Sequence, residues 1–254
     1  MAYNTTNYNT TNGKPRFLTS SSSLIPADMI TRFKNLLPEG KDITTNSVTN
    51  ALITDDLGSN LFLTKKANVK VAILDEGAGY LNGVGYFTFD KDELPKPCVK
   101  TEKIMFPNAS TNPAVLSSGD TVDLGSFDAN TAIGFTVAAN GWSNGSVASN
   151  PSGGIFRSVM ALNPEASPYN AHTVLLSSPE DKLLVLGLED LNRTPGKGSD
   201  EDFNDVIMAI FVDPFDAVDT GKIADVDTGT VSAPSKPVGV SGRMNWREKV
   251  DAQQ

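Results

Sequence analysis

Apolar positions along this chain change their spacing once. In residues 26–37 they follow a helical beat: Met29, Ile30, Phe33, Leu36 and Leu37 fall at i, i+1, i+4, i+7 and i+8, the stripe of a helix with one buried face. Pro26 suits the first turn, and Pro38 with Gly40 ends the pattern. From Asn60 onward the apolar residues come in short β-branched or aliphatic runs. These are Leu61 to Leu63, Val69 to Leu74, Gly85 to Phe89, Lys103 to Phe106, Thr121 to Leu124, Ala132 to Ala138, Ile155 to Ala161, Thr173 to Leu176, Leu183 to Leu188 and Val206 to Val212. Glycine, proline, asparagine and serine separate them, as turns require. The pattern predicts an all-β fold, a β-sandwich or jelly-roll-like body with one short N-terminal helix and extended terminal arms. No long helices alternate with the strands, which argues against a doubly wound sheet.

The ends differ from the middle. Residues 1–25 read as a polar N-terminal arm in which Tyr3-Asn4-Thr5-Thr6-Asn7 repeats as Tyr8-Asn9-Thr10-Thr11-Asn12. Such a composition buries no core of its own and is expected to lack structure alone. Residues 26–212 form the body with its leading helix. Residues 213–254 read as a tail with a loose repeat, Val218-Asp219-Thr220-Gly221 and Val226-Asp227-Thr228-Gly229, a Pro/Ser stretch, and a short helical pattern around Trp246 to Val250.

Composition narrows the function classes. A net charge of −9 over 254 residues repels nucleic acid and anionic membrane surfaces. No run approaches the roughly 18 apolar residues of a membrane span. The single cysteine, Cys98, forms no internal disulfide, and the single histidine, His172, excludes most hydrolytic triads and most zinc sites. No acid/base pair is recognisable, so the expectation is a protein that is not an enzyme. Residues 1–12 carry no basic region followed by an apolar one, so no signal peptide is visible. The acidic balance still suits a location outside the cell, on an extracellular surface or a virion.

The densest chemistry is Asp200-Glu201-Asp202-Phe203-Asn204-Asp205, ten residues after Glu189-Asp190. Crowded carboxylates repel unless a cation sits among them. Calcium suits them best, because it accepts about 6–8 oxygens in a loose cage, whereas magnesium demands a tight octahedron. Asp200, Asp202 and Asn204 alternate like the first positions of an EF-hand loop, but Asp205 stands where that loop needs glycine. The segment is therefore read as a calcium-type loop between strands, with Thr194 to Ser199 as the turn of a hairpin that brings Glu189 and Asp190 beside Asp200, Asp202 and Asp205. Glu76, in Asp75-Glu76-Gly77-Ala78-Gly79-Tyr80, is open to two readings: it completes the cage from a neighbouring strand, or it sits in a glycine-rich turn with a solvated acidic pair. The alternative is a solvated acidic hairpin in which Asn204 and Asp205 cap turns. Trp142, in a polar loop, is open to two readings: packing against the body or stacking on a sugar ring. His172 reads as a hydrogen-bonded structural residue.

Three runs carry a resemblance: Leu74 to Tyr86, Gly187-Leu188-Glu189-Asp190-Leu191, and Ser199 to Val206. Together with Gly119 to Val122, Ile133-Gly134-Phe135, Ala139-Asn140-Gly141 and Leu37-Pro38-Glu39, they resemble the bacterial surface-protein domain of LruC-type proteins, over roughly residues 28–212. The resemblance implies a β-sandwich with calcium bound at Glu76, Glu189, Asp190, Asp200, Asp202 and Asp205, and it names no enzyme activity. Two functions are expected from these readings. One is a calcium-stabilised structural subunit of an extracellular or virion surface assembly, whose arms contact copies of itself or other subunits. The other is a calcium-dependent carbohydrate-binding adhesin or lectin module, with surface glycans as partners.

Overall fold

The computed structural model describes residues 7–20, 25–45, 53, 55–110 and 115–226. Its elements in chain order are β1 (Thr19–Ser20), α1 (Ala27–Lys34), β2 (Leu61–Phe62), β3 (Ala67–Asp75), β4 (Gly83–Asp90), β5 (Thr101–Phe106), β6 (Asp120–Phe127), β7 (Thr131–Ala139), β8 (Trp142–Ser143), β9 (Ser146–Val147), β10 (Gly154–Arg157), β11 (Thr173–Ser178), β12 (Leu183–Leu188), β13 (Val206–Asp213) and β14 (Ala224–Asp225). Two sheets face each other. One runs β1-β6-β3-β13-β12-β11-β14, the other β10-β7-β4-β5 with β2 added to β7. The fold is an all-β sandwich.

Burial explains the spelling of the strands. Val71 and Ile73 of β3, Leu184 and Leu186 of β12 and Met208 and Ile210 of β13 meet Tyr86, Phe135 and Val137 of the opposite sheet in the central core. The alternate residues of the same strands, including Ala72, Leu74, Val185, Ile207 and Ala209, lie under Phe33 of α1 and under Ile25 and Leu37 that flank it. β12 is thus buried on both faces, which is why it reads as a continuous apolar run rather than an alternation. A smaller cluster of Phe62, Phe87, Phe89, Ala132 and Val159 covers the outer face of the second sheet.

Packing there is tight at one glycine. A Cβ built on Gly134 would meet the Phe87 ring at 2.3 Å, and overfilled cores lose about 1–3 kcal/mol. Gly134→Ala is expected to cost about 2–3 kcal/mol, read as a lowered urea midpoint with an unchanged slope. A midpoint equal to wild type would show that the ring has room to move.

Three differences from the sequence expectation have physical causes. The helix ends at Lys34, not Leu37. Pro38 disfavours helical backbone at the residue before it, so the chain closes with tighter bonds from Leu36 N–H to Phe33 O and from Leu37 N–H to Lys34 O. The N-terminal arm is structured over residues 7–20. Asn9 and Lys14 close a turn, Tyr8 is buried and packs edge-on to Trp142 at 5.8 Å, and Asn108 donates to Asn12 O. A polar segment builds no core, but one tyrosine suffices when the body supplies the slot. At the other end, β14 pairs in parallel with β11, so residues 213–226 are part of the body. The first Tyr-Asn-Thr-Thr repeat, the second Val-Asp-Thr-Gly repeat past Val226 and the helical pattern around Trp246 lie outside the described residues.

Candidate metal centre

Strand pairing alone gathers the acidic residues. β12 pairs β13 with Leu188 opposite Val206, so Glu189 and Asp190 leave one strand where Asp205 approaches the other. β13 also pairs β3, with Ile207 opposite Asp75, so Glu76 and Gly77 emerge beside them. The connection between β12 and β13 is a loop over residues 189–205 without strand of its own. The expected hairpin turn at Thr194 to Ser199 is only the distal part of that loop.

The loop is pinned from several sides. Gly187 allows it to lie flat: a Cβ there would meet Phe203 O at 2.5 Å and Leu37 Cδ1 at 2.4 Å. Glu201 and Phe203 adopt φ of 66° and 58°, a left-handed backbone that non-glycine residues hold only when their surroundings enforce it. Arg193, itself buried, donates to Glu201 Oε2 through Nε at 2.8 Å and to Ala171 O through Nη1 at 2.8 Å, and lies over the Phe203 ring. Glu201 is therefore committed to an ion pair. From the turn after α1, Gly40 N–H donates to Asp202 Oδ2 at 2.8 Å, and Asn204 Nδ2 donates to Leu37 O at 3.3 Å.

Two trios of carboxylates result, each with ligand oxygens within 4.8 Å of one another: Glu189, Asp190 and Asp205, and Glu39, Asp200 and Asp202. Five of the six residues predicted from sequence fall into these trios. Glu76 stands outside both, close enough to Asp190 to disfavour its ionisation. Glu39 is the member that sequence reasoning did not include. Nothing in the spacing marks it, since it lies far from the acidic loop in sequence and arrives with the turn after α1.

Two members of the inner trio are nearly dry and the third, Asp205, is half-buried. Glu189 is 1% exposed and Asp190 2%. Asp190 N–H donates to Asp205 Oδ2 at 2.7 Å, Leu191 N–H donates to Glu189 Oε1 at 3.2 Å, and Asn82 Nδ2 donates to Asp190 Oδ2 at 2.5 Å. Glu189 Oε2, also buried, makes no hydrogen bond. Among the described residues no lysine or arginine forms an ion pair with either trio. Burial, reinforced by the neighbouring carboxylates, pushes Glu189 up to about 8, Asp190 up to about 6 and Asp205 up to about 9. Burial also raises Asp202, against the two backbone N–H groups that favour its anion. The site stores like charge in low dielectric, which is costly unless a proton or a cation is present.

His172 supports this arrangement from behind. Its Nδ1 donates to Glu189 O at 3.0 Å, its ring stacks on Phe156, and its Nε2 faces the buried Glu165 at 3.4 Å. Trp142 is 7% exposed beneath the N-terminal strap, so it packs against the body and offers no open face for a sugar.

An all-β sandwich with an acidic cluster at the end of one sheet is the class that fold and site define. Residues 127–212 match the family described as Domain of unknown function (DUF4114). The match spans β7 to β13 and contains both Glu189-Asp190 and Asp200 to Asp205, but not Glu39 or Glu76. No curated protein and no solved structure matches the chain.

Proposed function

We propose that the protein is a calcium-stabilised structural module of an extracellular or virion surface assembly. The observation that carries this reading is Glu189, a carboxylate 1% exposed whose Oε2 lacks a hydrogen bond and whose ligand oxygen lies within 4.8 Å of those of Asp190 and Asp205. Such a group is tolerated when a hard cation takes the place of water. The likeness to LruC-type domains supports a place on a surface. The ion's role here is mechanical: it holds the ends of β12 and β13 together by cancelling repulsion. Residues 7–20 are engaged by the body itself, so contacts to neighbouring subunits fall on the exposed side of that strap, where Phe17 is 76% exposed. Burial of Trp142 takes away a stacking platform for sugar, so the lectin alternative would rest on calcium bridging sugar hydroxyls.

Asp205→Asn separates an ion site from a merely acidic loop. Near pH 7 the metal-free chain must take up a proton at Asp205 to fold, its folded value being about 9 against 3.8, and asparagine removes that cost, so the variant's metal-free form is expected to melt higher than wild type. Its calcium affinity is expected to fall about tenfold or more, since the amide oxygen that replaces the carboxylate brings no charge to offset the dication. Calcium titration calorimetry with paired melts checks this. A variant that melts higher without calcium and binds it as tightly as wild type would refute the assignment.

A further inference from the structure

We infer that the site takes two dications, with a second, outer position built by Glu39, Asp200, Asp202 and the amide oxygen of Asn204. This inference rests on the reading of the inner trio as a calcium site. Oxygens bound to one calcium lie 2.3–2.6 Å from it and so no more than about 5 Å from each other. Each trio meets that limit internally, and the two trios share no residue. Charge points the same way. Glu39, Glu76, Glu189, Asp190, Asp200, Asp202 and Asp205 are seven carboxylates at one end of a sheet, and a single dication offsets two of them.

Asn204 supplies the independent observation. It is 6% exposed, and its Nδ2 donates to Leu37 O, which fixes the amide orientation. Its Oδ1 accepts no hydrogen bond among the described residues. That oxygen and Glu39 Oε2 converge on the space above Gly77, each 2.8 Å from where a Cβ would stand. A neutral oxygen aimed beside a carboxylate oxygen needs a donor or a cation between them, and glycine is the one residue that leaves the space open. Asp202 keeps a free lone pair on each oxygen after accepting from Gly40 and Asn204, so it still has ligand capacity. Glu39 and Asp200 are exposed where Glu189 and Asp190 are buried. The outer ion therefore keeps more water and binds about tenfold or more weakly than the inner one.

The experiment is calcium titration of the full chain, by calorimetry and by native mass spectrometry, for wild type, Glu39→Gln, Gly77→Ala and Asp205→Asn. Wild type is expected to bind two calcium ions of unequal affinity. Glu39→Gln and Gly77→Ala are each expected to lose the weaker ion and keep the tighter one within about twofold. Asp205→Asn is expected to weaken the tighter one. Gly77→Ala adds a single methyl group that displaces only side-chain oxygens, so it tests the space rather than the charge. One calcium in wild type, unaffected by Glu39→Gln, overturns the second position and leaves the inner site standing. Loss of both ions in Glu39→Gln also overturns it, because that is one shared cage. No calcium at all overturns the inner site as well.

Discussion

Stripping calcium with excess EDTA is expected to lower the melting temperature by about 8–16 °C. A ligand that binds only the folded chain stabilises it by about 4 kcal/mol at a thousandfold excess over its dissociation constant. For a domain of this size each kcal/mol is worth roughly 2–4 °C. The loss falls on the end of the sheet where β12, β13 and β3 release Glu189, Asp205 and Glu76. There the inner carboxylates face one another without an ion pair to lysine or arginine among the described residues. Magnesium is expected to restore less of the loss than calcium, because its octahedron is tighter and it gives up water reluctantly. Differential scanning calorimetry before and after chelation, with elemental analysis of the same samples, measures this. An unchanged melt in a sample that never held metal would end the calcium reading.

The second large effect is a reversal of pH dependence. Glu189, Asp190 and Asp205 carry folded-state values raised to about 8, 6 and 9 from ordinary values of 4.5, 3.8 and 3.8. A raised value means that the folded chain holds the proton more tightly than the unfolded one. The metal-free protein therefore has this contribution in full below about pH 4 and loses it as pH climbs through about 6 to 9. Calcium inverts the slope. Binding expels the protons that Glu189 and Asp205 retain near pH 7, so affinity rises about tenfold per pH unit for each proton displaced. One to two protons give about 10- to 100-fold per unit. Melting curves between pH 5 and 9 are expected to fall with pH in EDTA and to rise or flatten in millimolar calcium. Parallel curves under the two conditions would show that no ion competes with those protons.

Much of this was legible in the chain. The strands of the sandwich were found because their residues are buried, and burial writes apolar runs: Leu183 to Leu188 coincides with β12 from end to end. What escaped was held by few contacts. β1, β8, β9 and β14 have two residues each, too short for any period to show. Ile155 to Ala161 was read as one strand, but β10 stops at Arg157 where Ser158 turns its hydroxyl to Asn60 and its N–H to Phe135 O. In the site, the residues adjacent in sequence were legible, since crowding alone marks Asp200 to Asp205. Glu39 was not, because its proximity comes from the turn after α1 docking on the loop through Gly40 and Leu37. Division into two trios also depends on backbone geometry that spacing does not encode.

The two ends of the described chain enter the same sheet at opposite edges, β1 beside β6 and β14 beside β11. In the sheet each end makes a pairing only two residues long, and the N-terminal end is tied down further by Tyr8 on Trp142 and by Asn108. Tension applied between neighbouring subunits through these ends would peel such short fringes first. The middle of the sheet, with the acidic loop, would carry the same tension through much longer pairings and outlast them, so the fringes would act as mechanical fuses for the ion-bearing interior.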